Sequence, residues 1–272
     1  MAPKISILMG IYNCASTLPE AIDSVLAQTF PDWELILCDD GSSDDTYQVA
    51  QTYRTAHPDR IILIRNDRNR GLNYTLNHCL AHARGELIAR MDGDDLSVPE
   101  RLEKEYAARM ADPSLAVVSC AMSYFDEHGE FTRANTLPEY PEPRMLVHGT
   151  IHCHAPCLMR AEAIRGVGGY SVDEKLLRVE DWHLWLKLYA AGYRGRNLEE
   201  PLYKMRDDRA AAGRRKFRCR LNEAYVSRLA VKELGLPAVN YVYSLRPVLV
   251  GLLPGSVYHY LHRRRLGAQR QE

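Results

Sequence analysis

Met91-Asp92-Gly93-Asp94-Asp95 sets three carboxylates within four residues, directly after the apolar run Leu87-Ile88-Ala89. Carboxylates held that close repel one another, so a fold that gathers them needs a neutralising partner. A divalent cation shared with phosphate oxygens is the natural one. Asp and Gly also suit turns and helix starts, so the cluster alone is weak grounds for a site. Its weight comes from Asp39-Asp40, a second acidic pair that also ends an apolar run.

The elements that must position these groups follow from hydrophobic periodicity. Lys4 to Met9 reads as a buried strand stopped by Gly10. Thr17 and Glu20 have capping-box spacing, and Leu18, Ile22, Val25 and Leu26 make the apolar stripe of a helix. Trp33 to Cys38 is the next strand, Thr46 to Ala56 a helix and Ile61 to Ile64 a third strand. Asn69-Arg70-Gly71 breaks the chain before a helix marked by Leu72, Leu76, Cys79, Leu80 and Ala83, and Leu87 to Met91 is a fourth strand. Such alternation predicts an α/β fold, a mostly parallel central sheet with helices on both faces. Right-handed crossovers put the carboxyl ends of the strands on one edge, where such sheets bind ligands. Tyr12-Asn13, Asp39-Asp40, Asn69 to Gly71 and Asp92 to Asp95 are therefore expected to converge.

Composition narrows the class. The 272 residues are 46% hydrophobic and 26% charged, enough for a proper globular core. Lys+Arg and Asp+Glu balance at 35 each, which excludes the basic excess of a nucleic-acid binder. The 7 cysteines are scattered and odd in number, which predicts buried thiols in a reducing compartment rather than a disulfide framework. The N-terminus runs straight into a strand pattern without a signal peptide, so a cytoplasmic location is expected.

The segments Ser6 to Asn13, Ser24 to Phe30 and Glu34 to Ser42 resemble the opening of family 2 glycosyltransferases. Asn69-Arg70-Gly71 and Asp92-Gly93-Asp94-Asp95 match that family's next landmarks, and Gly168-Gly169-Tyr170 and Glu180 to Leu186 its acceptor-side block. The ordered set is specific although each motif alone is not. It spans about residues 4–205 and is most similar to bacterial enzymes of exopolysaccharide or capsule assembly. Two positions depart from the pattern: Gly10 stands where many members carry proline, and His183 where an acidic residue is common.

The resemblance implies a GT-A fold, with a nucleotide-sugar half over residues 1–95 and an acceptor half over 96–205. Residues 206–272 would then form a basic loop and a C-terminal helical, membrane-associating extension. It implies an inverting transfer from a nucleoside-diphosphate sugar, a UDP-sugar first of all, to a lipid-linked or growing saccharide. Donor binding falls to Gly10, Tyr12, Asn13, Asp40, Gly71, Arg90, Asp92 and Asp94. Among these, Tyr12 offers a ring face to the base and Asp40 a carboxylate to its imino N–H. Asp94 is the direct ligand of Mg²⁺ or Mn²⁺, and Asp92 a ribose or metal-water contact. Arg90 either assists or forms a structural ion pair. Asp181 is the general base, with Glu180 as its orienter or the alternative base. The helix dipole would lower the Asp181 pKa and burial would raise it; plain helix capping by the pair is the competing reading.

Three further stretches carry expectations. His152-Cys153-His154 with Cys157 invites a zinc reading, but the spacing fits no closed site well, and a segment lining the acceptor cleft is preferred. His154 and Trp182 are the acceptor candidates. From Lys204 to Arg220 cations dominate, and Arg206 and Arg209 are candidates for closing on the diphosphate. Beyond them, Leu236 to Leu261 is apolar but interrupted by Pro247 and Pro254, too broken to span a bilayer. With Arg263-Arg264-Arg265 it fits helices lying on the inner face of the membrane, or else packing on the domain or in an oligomer. Two other classes compete with the enzyme reading. A nucleotidyltransferase shares the sheet and the acidic site but brings a glycine- and basic-rich N-terminal signature, which Met9 to Asn13 is not. A non-catalytic scaffold for a protein partner is disfavoured by the intact Asp40, Asp94 and Asp181, which leave a second, binding role beside catalysis open.

Overall fold

The computed structural model describes residues 2–126, 129–134, 137–206 and 217–252. Arg209 and Arg263 to Arg265 lie outside the described residues. The first half alternates as β1 (Ile5–Ile11), α1 (Leu18–Leu26), β2 (Trp33–Asp39), α2 (Thr46–Ala56), β3 (Ile61–Arg65), α3 (Leu72–His82) and β4 (Leu87–Asp92). The second half adds β5 (Leu96–Ser97), α4 (Arg101–Ala111), β6 (Leu115–Asp126), β7 (Gly129–Ala134), β8 (Leu158–Arg160), α5 (Ala161–Gly166), α6 (Glu180–Ala190) and β9 (Arg194–Arg206). It closes with α7 (Phe217–Glu233) and α8 (Leu245–Gly251).

All the strands join one sheet in the order β3-β2-β1-β4-β8-β6-β9-β5, with β7 on the side of β6. Strands β3, β2, β1 and β4 are all parallel, as right-handed β-α-β crossovers require. β8 then runs antiparallel to both β4 and β6, and β9 runs parallel to β6. The expected parallel sheet is therefore the nucleotide-side half, and the other half is mixed.

Alternation along the strands feeds two cores, one on each face. Leu8, Ile36, Cys38 and Ile88 point to the face covered by α3, α5, α6 and α7. Ile7, Met9, Leu35, Leu37, Ala89 and Met91 point to the face covered by α1 and α4. Both faces being buried explains why these strands read as continuous apolar runs. α7 contributes Val226, Ala230 and Val231 to the same core as α6. All 7 cysteines are free thiols.

One local expectation fails. Thr17 does precede α1, but its side chain makes no cap hydrogen bond. Its hydroxyl donates instead to the Gly93 carbonyl at 3.1 Å, which ties the helix to the acidic turn. Glu20 has a different partner as well, Arg206 at 2.6 Å. A long-range partner has displaced the local motif.

Candidate active site

The register of β1 places Gly10 between Cys38 of β2 and Asp92 of β4. The acidic groups that follow those two strands therefore flank the end of β1. Beside them opens a cavity of about 580 Å³ lined by Gly10, Tyr12, Asp40, Gly71, Asn73 and Glu180, among others. The four polar clusters expected on one edge do converge.

On the β2 side the polar groups are already held by the protein. The Asp40 carboxylate accepts N–H bonds from Arg70 at 2.8 Å, Gly71 at 2.9 Å and the Asn66 amide at 2.8 Å. Gly71 has φ +85°, and Gly41 has φ +72° with so little room that a Cβ would meet the Arg68 backbone at 2.6 Å. Glycine at both positions lets the two turns close on each other. Tyr12 is 48% exposed, an open ring face on the cavity wall. Asn13, expected at the donor, is tied to the neighbouring loop. Its side-chain oxygen accepts the Ser43 N–H at 2.9 Å, so it shapes the loop that presents Tyr12.

On the β4 side the groups are crowded. Asp92, Asp94 and Asp95 each bring one carboxylate oxygen to within 4.8 Å of the others. Arg90, 4% exposed, forms a bidentate ion pair with Asp92, with Nη1 to Oδ2 at 2.6 Å. The ion-pair alternative is thus the one the structure adopts. Asp95 accepts from the Tyr203 hydroxyl at 2.9 Å and from the Arg206 backbone N–H at 2.8 Å. Burial, and after it the charges of Asp92 and Asp94, pushes Asp95 up to about 8. Burial and Asp92 raise Asp94 as well. Asp94 is the exposed member of the three, and its side chain makes no hydrogen bond to another described residue, so its oxygens are the open ones. Hard oxygen donors at this spacing suit Mg²⁺ or Mn²⁺.

Arg206, expected at the diphosphate, is engaged by protein groups in the free chain. Its Nε donates to the Asp94 carbonyl at 2.8 Å, its Nη2 pairs with Glu20, and its guanidinium lies 4.5 Å from the Phe125 ring centre. It clamps the acidic turn to α1.

Glu180 and Asp181 open α6. Burial raises both carboxyls, more than the Trp182 backbone N–H and the Thr150 side chain lower Asp181. Desolvation therefore wins over the helix N-terminus. Glu180 lines the cavity. Trp182, expected at the acceptor, is instead a core residue: it is 6% exposed and its indole N–H donates to the Leu146 carbonyl at 2.6 Å. His154 shares a 2.8 Å hydrogen bond with the Tyr170 hydroxyl, and burial then Arg90 push its pKa far down. Its Nε2 is thereby engaged by protein. His152 is bound at both ring nitrogens, by Asn197 at 2.6 Å and Tyr189 at 2.9 Å, which leaves it no lone pair for zinc.

Comparison with known proteins fits this geometry. The chain belongs to glycosyl transferase family 2, whose family model matches residues 6–168. It is 44% identical to the putative glycosyltransferase EpsE of Bacillus subtilis over 99% of this chain and 96% of that protein. It is 26% identical to an Escherichia coli protein, the UDP-Glc:alpha-D-GlcNAc-diphosphoundecaprenol beta-1,3-glucosyltransferase WfaP, over 96% of this chain and 98% of that one. In fold it resembles S. aureus TarS 1-349, solved in complex with UDP-GlcNAc, with TM-score 0.67 at 19% identity over 92% of this chain and 71% of that chain. The fold is the GT-A arrangement that the motifs implied.

Proposed function

We propose that the chain transfers a sugar, with inversion, from a UDP-sugar to a lipid-linked or growing saccharide in exopolysaccharide assembly. The observation that carries this reading is the convergence of Tyr12 and Asp40, the Asp92-Asp94-Asp95 cluster and Glu180 around one sheet edge. The donor named for WfaP supports a UDP-sugar, and its diphosphoundecaprenol-linked acceptor supports a lipid carrier. Residues 1–95 would serve the donor and 96–205 the acceptor.

The roles follow from chemistry. Tyr12 stacks on the base, and the spare lone pair of Asp40 meets its imino N–H. Asp94 is the direct metal ligand, with Asp92 held by Arg90 and Asp95 held by Tyr203 to complete the acidic wall. These carboxylates would hold Mg²⁺ or Mn²⁺, which when bound would supply positive charge against the departing diphosphate. Inversion by direct displacement needs a base on the face opposite the leaving group. Asp181 is that base, and burial raises its proton affinity toward a useful range. Glu180, on the cavity wall, orients it. Asp181→Asn should leave UDP binding intact and slow transfer by about 10²–10⁴-fold. Normal transfer by this variant, with loss in Glu180→Gln, would swap the two roles.

No helix among the described residues is long and apolar enough to cross a membrane. Yet Val239 is 74% exposed, Leu249 62% and Leu252 67%, and the exposed Arg246 lies among them. This surface supports peripheral contact with an anionic bilayer, where the acceptor lipid would be found. The full-length chain should sediment with phosphatidylglycerol vesicles at low salt, and Leu249→Glu with Leu252→Glu should abolish this. Equal sedimentation of both proteins would reject the membrane reading.

A further inference from the structure

Behind Asp40 stands a line of polar side chains that the transfer chemistry does not use. Asn66, 6% exposed at the end of β3, directs its Nδ2 to Asp40 Oδ1 at 2.8 Å and to Thr75 Oγ1 at 3.0 Å. Its Oδ1 faces His78 Nδ1 at 2.8 Å. The direction of every proton in this line can be assigned. Asp40 already accepts the backbone N–H groups of Arg70 and Gly71, so its carboxylate is the acceptor in each contact. Thr75 gives its hydroxyl proton to the Gly71 carbonyl at 3.0 Å and so accepts from Asn66. The Asn66 amide nitrogen therefore donates twice, and its oxygen must accept from His78, which carries its proton on Nδ1. A flipped amide would set oxygen against carboxylate and lose two bonds.

We propose that Asn66, oriented by His78, is a positioning residue that sets which nucleobase the donor site accepts. The proposal rests on the reading of Asp40 as the base-recognising group. Three donors hold the carboxylate: two on Oδ1 and one on Oδ2. Oδ2 thus keeps acceptor capacity on a residue that lines the cavity. A carboxylate fixed in this way requires a donor from its ligand. Uracil offers its N3–H; cytosine, nearly the same in shape, offers an unprotonated ring nitrogen at that edge. Acceptor against acceptor leaves both unpaired, and sites built around such a bond discriminate strongly. Without Asn66 the carboxylate loses its one side-chain anchor among the described residues and can rotate, and the distinction blurs. Because His78 lies on α3 and is not among the residues lining the cavity, the orientation is set from outside the ligand's contact surface.

The test is calorimetric binding of UDP and CDP to the full-length chain with Mn²⁺ present. Wild type should prefer UDP, and Asn66→Leu should shrink the UDP-to-CDP affinity ratio by about tenfold or more. His78→Leu should shrink it by less. His78→Asn, which restores an N–H donor near the position of Nδ1, should recover it. A merely structural role would weaken both nucleotides together and leave the ratio unchanged, and that result in Asn66→Leu overturns the proposal. If Asn66→Leu does not fold, the His78→Leu and His78→Asn pair decides by the same ratio. Asp40→Ala separates the two levels. A ratio lost in Asp40→Ala but kept in Asn66→Leu rejects the relay alone, whereas a ratio kept in Asp40→Ala rejects the base-recognition reading beneath it.

Discussion

The two acidic sites flanking β1 are built to opposite designs. Asp40, after β2, is bound by three N–H donors before any ligand arrives. Asp94 and Asp95, after β4, crowd each other and Asp92, and their carboxyls are raised by burial and mutual charge. The first site is finished in the free protein, so the base recognition proposed for it would cost little reorganisation. The second is under tension until positive charge is added. A carboxyl site that is poor at holding its own charges is good at holding a cation, because the ion removes the repulsion as it binds. The contrast suits the reaction: the base is the same in reactant and product, while charge appears only on the diphosphate.

The largest expected effect separates the two sites. Asp94→Asn removes the open ligand and one of the repelling charges at once. Transfer should fall on the order of 10³-fold, the several kcal/mol that a metal supplies to a developing charge. The variant should remain folded, with the same UDP-to-CDP preference in the absence of metal. Its thermal midpoint should no longer rise when Mn²⁺ is added, whereas ligand at 100-fold its dissociation constant would stabilise wild type by about 2.7 kcal/mol. An unchanged Mn²⁺ shift in the folded variant would show that Asp94 is not the ligand, and the contrast between the two sites would collapse.

Much of this architecture was legible from local pattern. The limits of α2 were read directly from the sequence, and the parallel strands were found to within two residues at their ends. The convergence of Tyr12, Asp40, Gly71 and Asp92 followed from topology alone, since parallel strands must end on one edge. What the sequence hid was long-range partnership. Tyr203 reaches Asp95 across 108 positions, and only the pairing of β5 with β9 and of β9 with β6 brings it there. Asn66 gave no signal, because a lone Asn after a strand looks like turn chemistry. The wrong expectations failed for the same reason. Thr17 and Glu20 have local capping spacing, yet Gly93 and Arg206 claim them. Trp182, next to Glu180 and Asp181, turns inward because helical periodicity puts it on the buried face with Trp185 and Tyr189.

The tension on the β4 side continues one layer down, and the smallest predicted effect tests it. Arg101 and Glu105, both 0% exposed, sit one helical turn apart on α4. Arg101 donates to the Arg90 carbonyl at 3.2 Å and lies 5.4 Å from the centre of the Tyr203 ring, so it supports the residues that hold Asp92 and Asp95. Burial pushes Glu105 up to about 8, against the opposing pull of Arg101. Between the ordinary value of 4.5 and about 8, the folded chain therefore keeps a proton that the unfolded chain releases. Stability must fall as pH rises through that window, by at most about 1.4 kcal/mol per pH unit for one proton. Glu105→Gln keeps the shape without the proton and should remove this part of the slope, while the contribution of Asp94 and Asp95 remains. Urea unfolding of both proteins at pH 5, 6, 7 and 8 without metal measures the difference. Parallel curves would mean that Glu105 is ionised and neutralises Arg101. In that case the strain on this side of the molecule stops at the acidic turn.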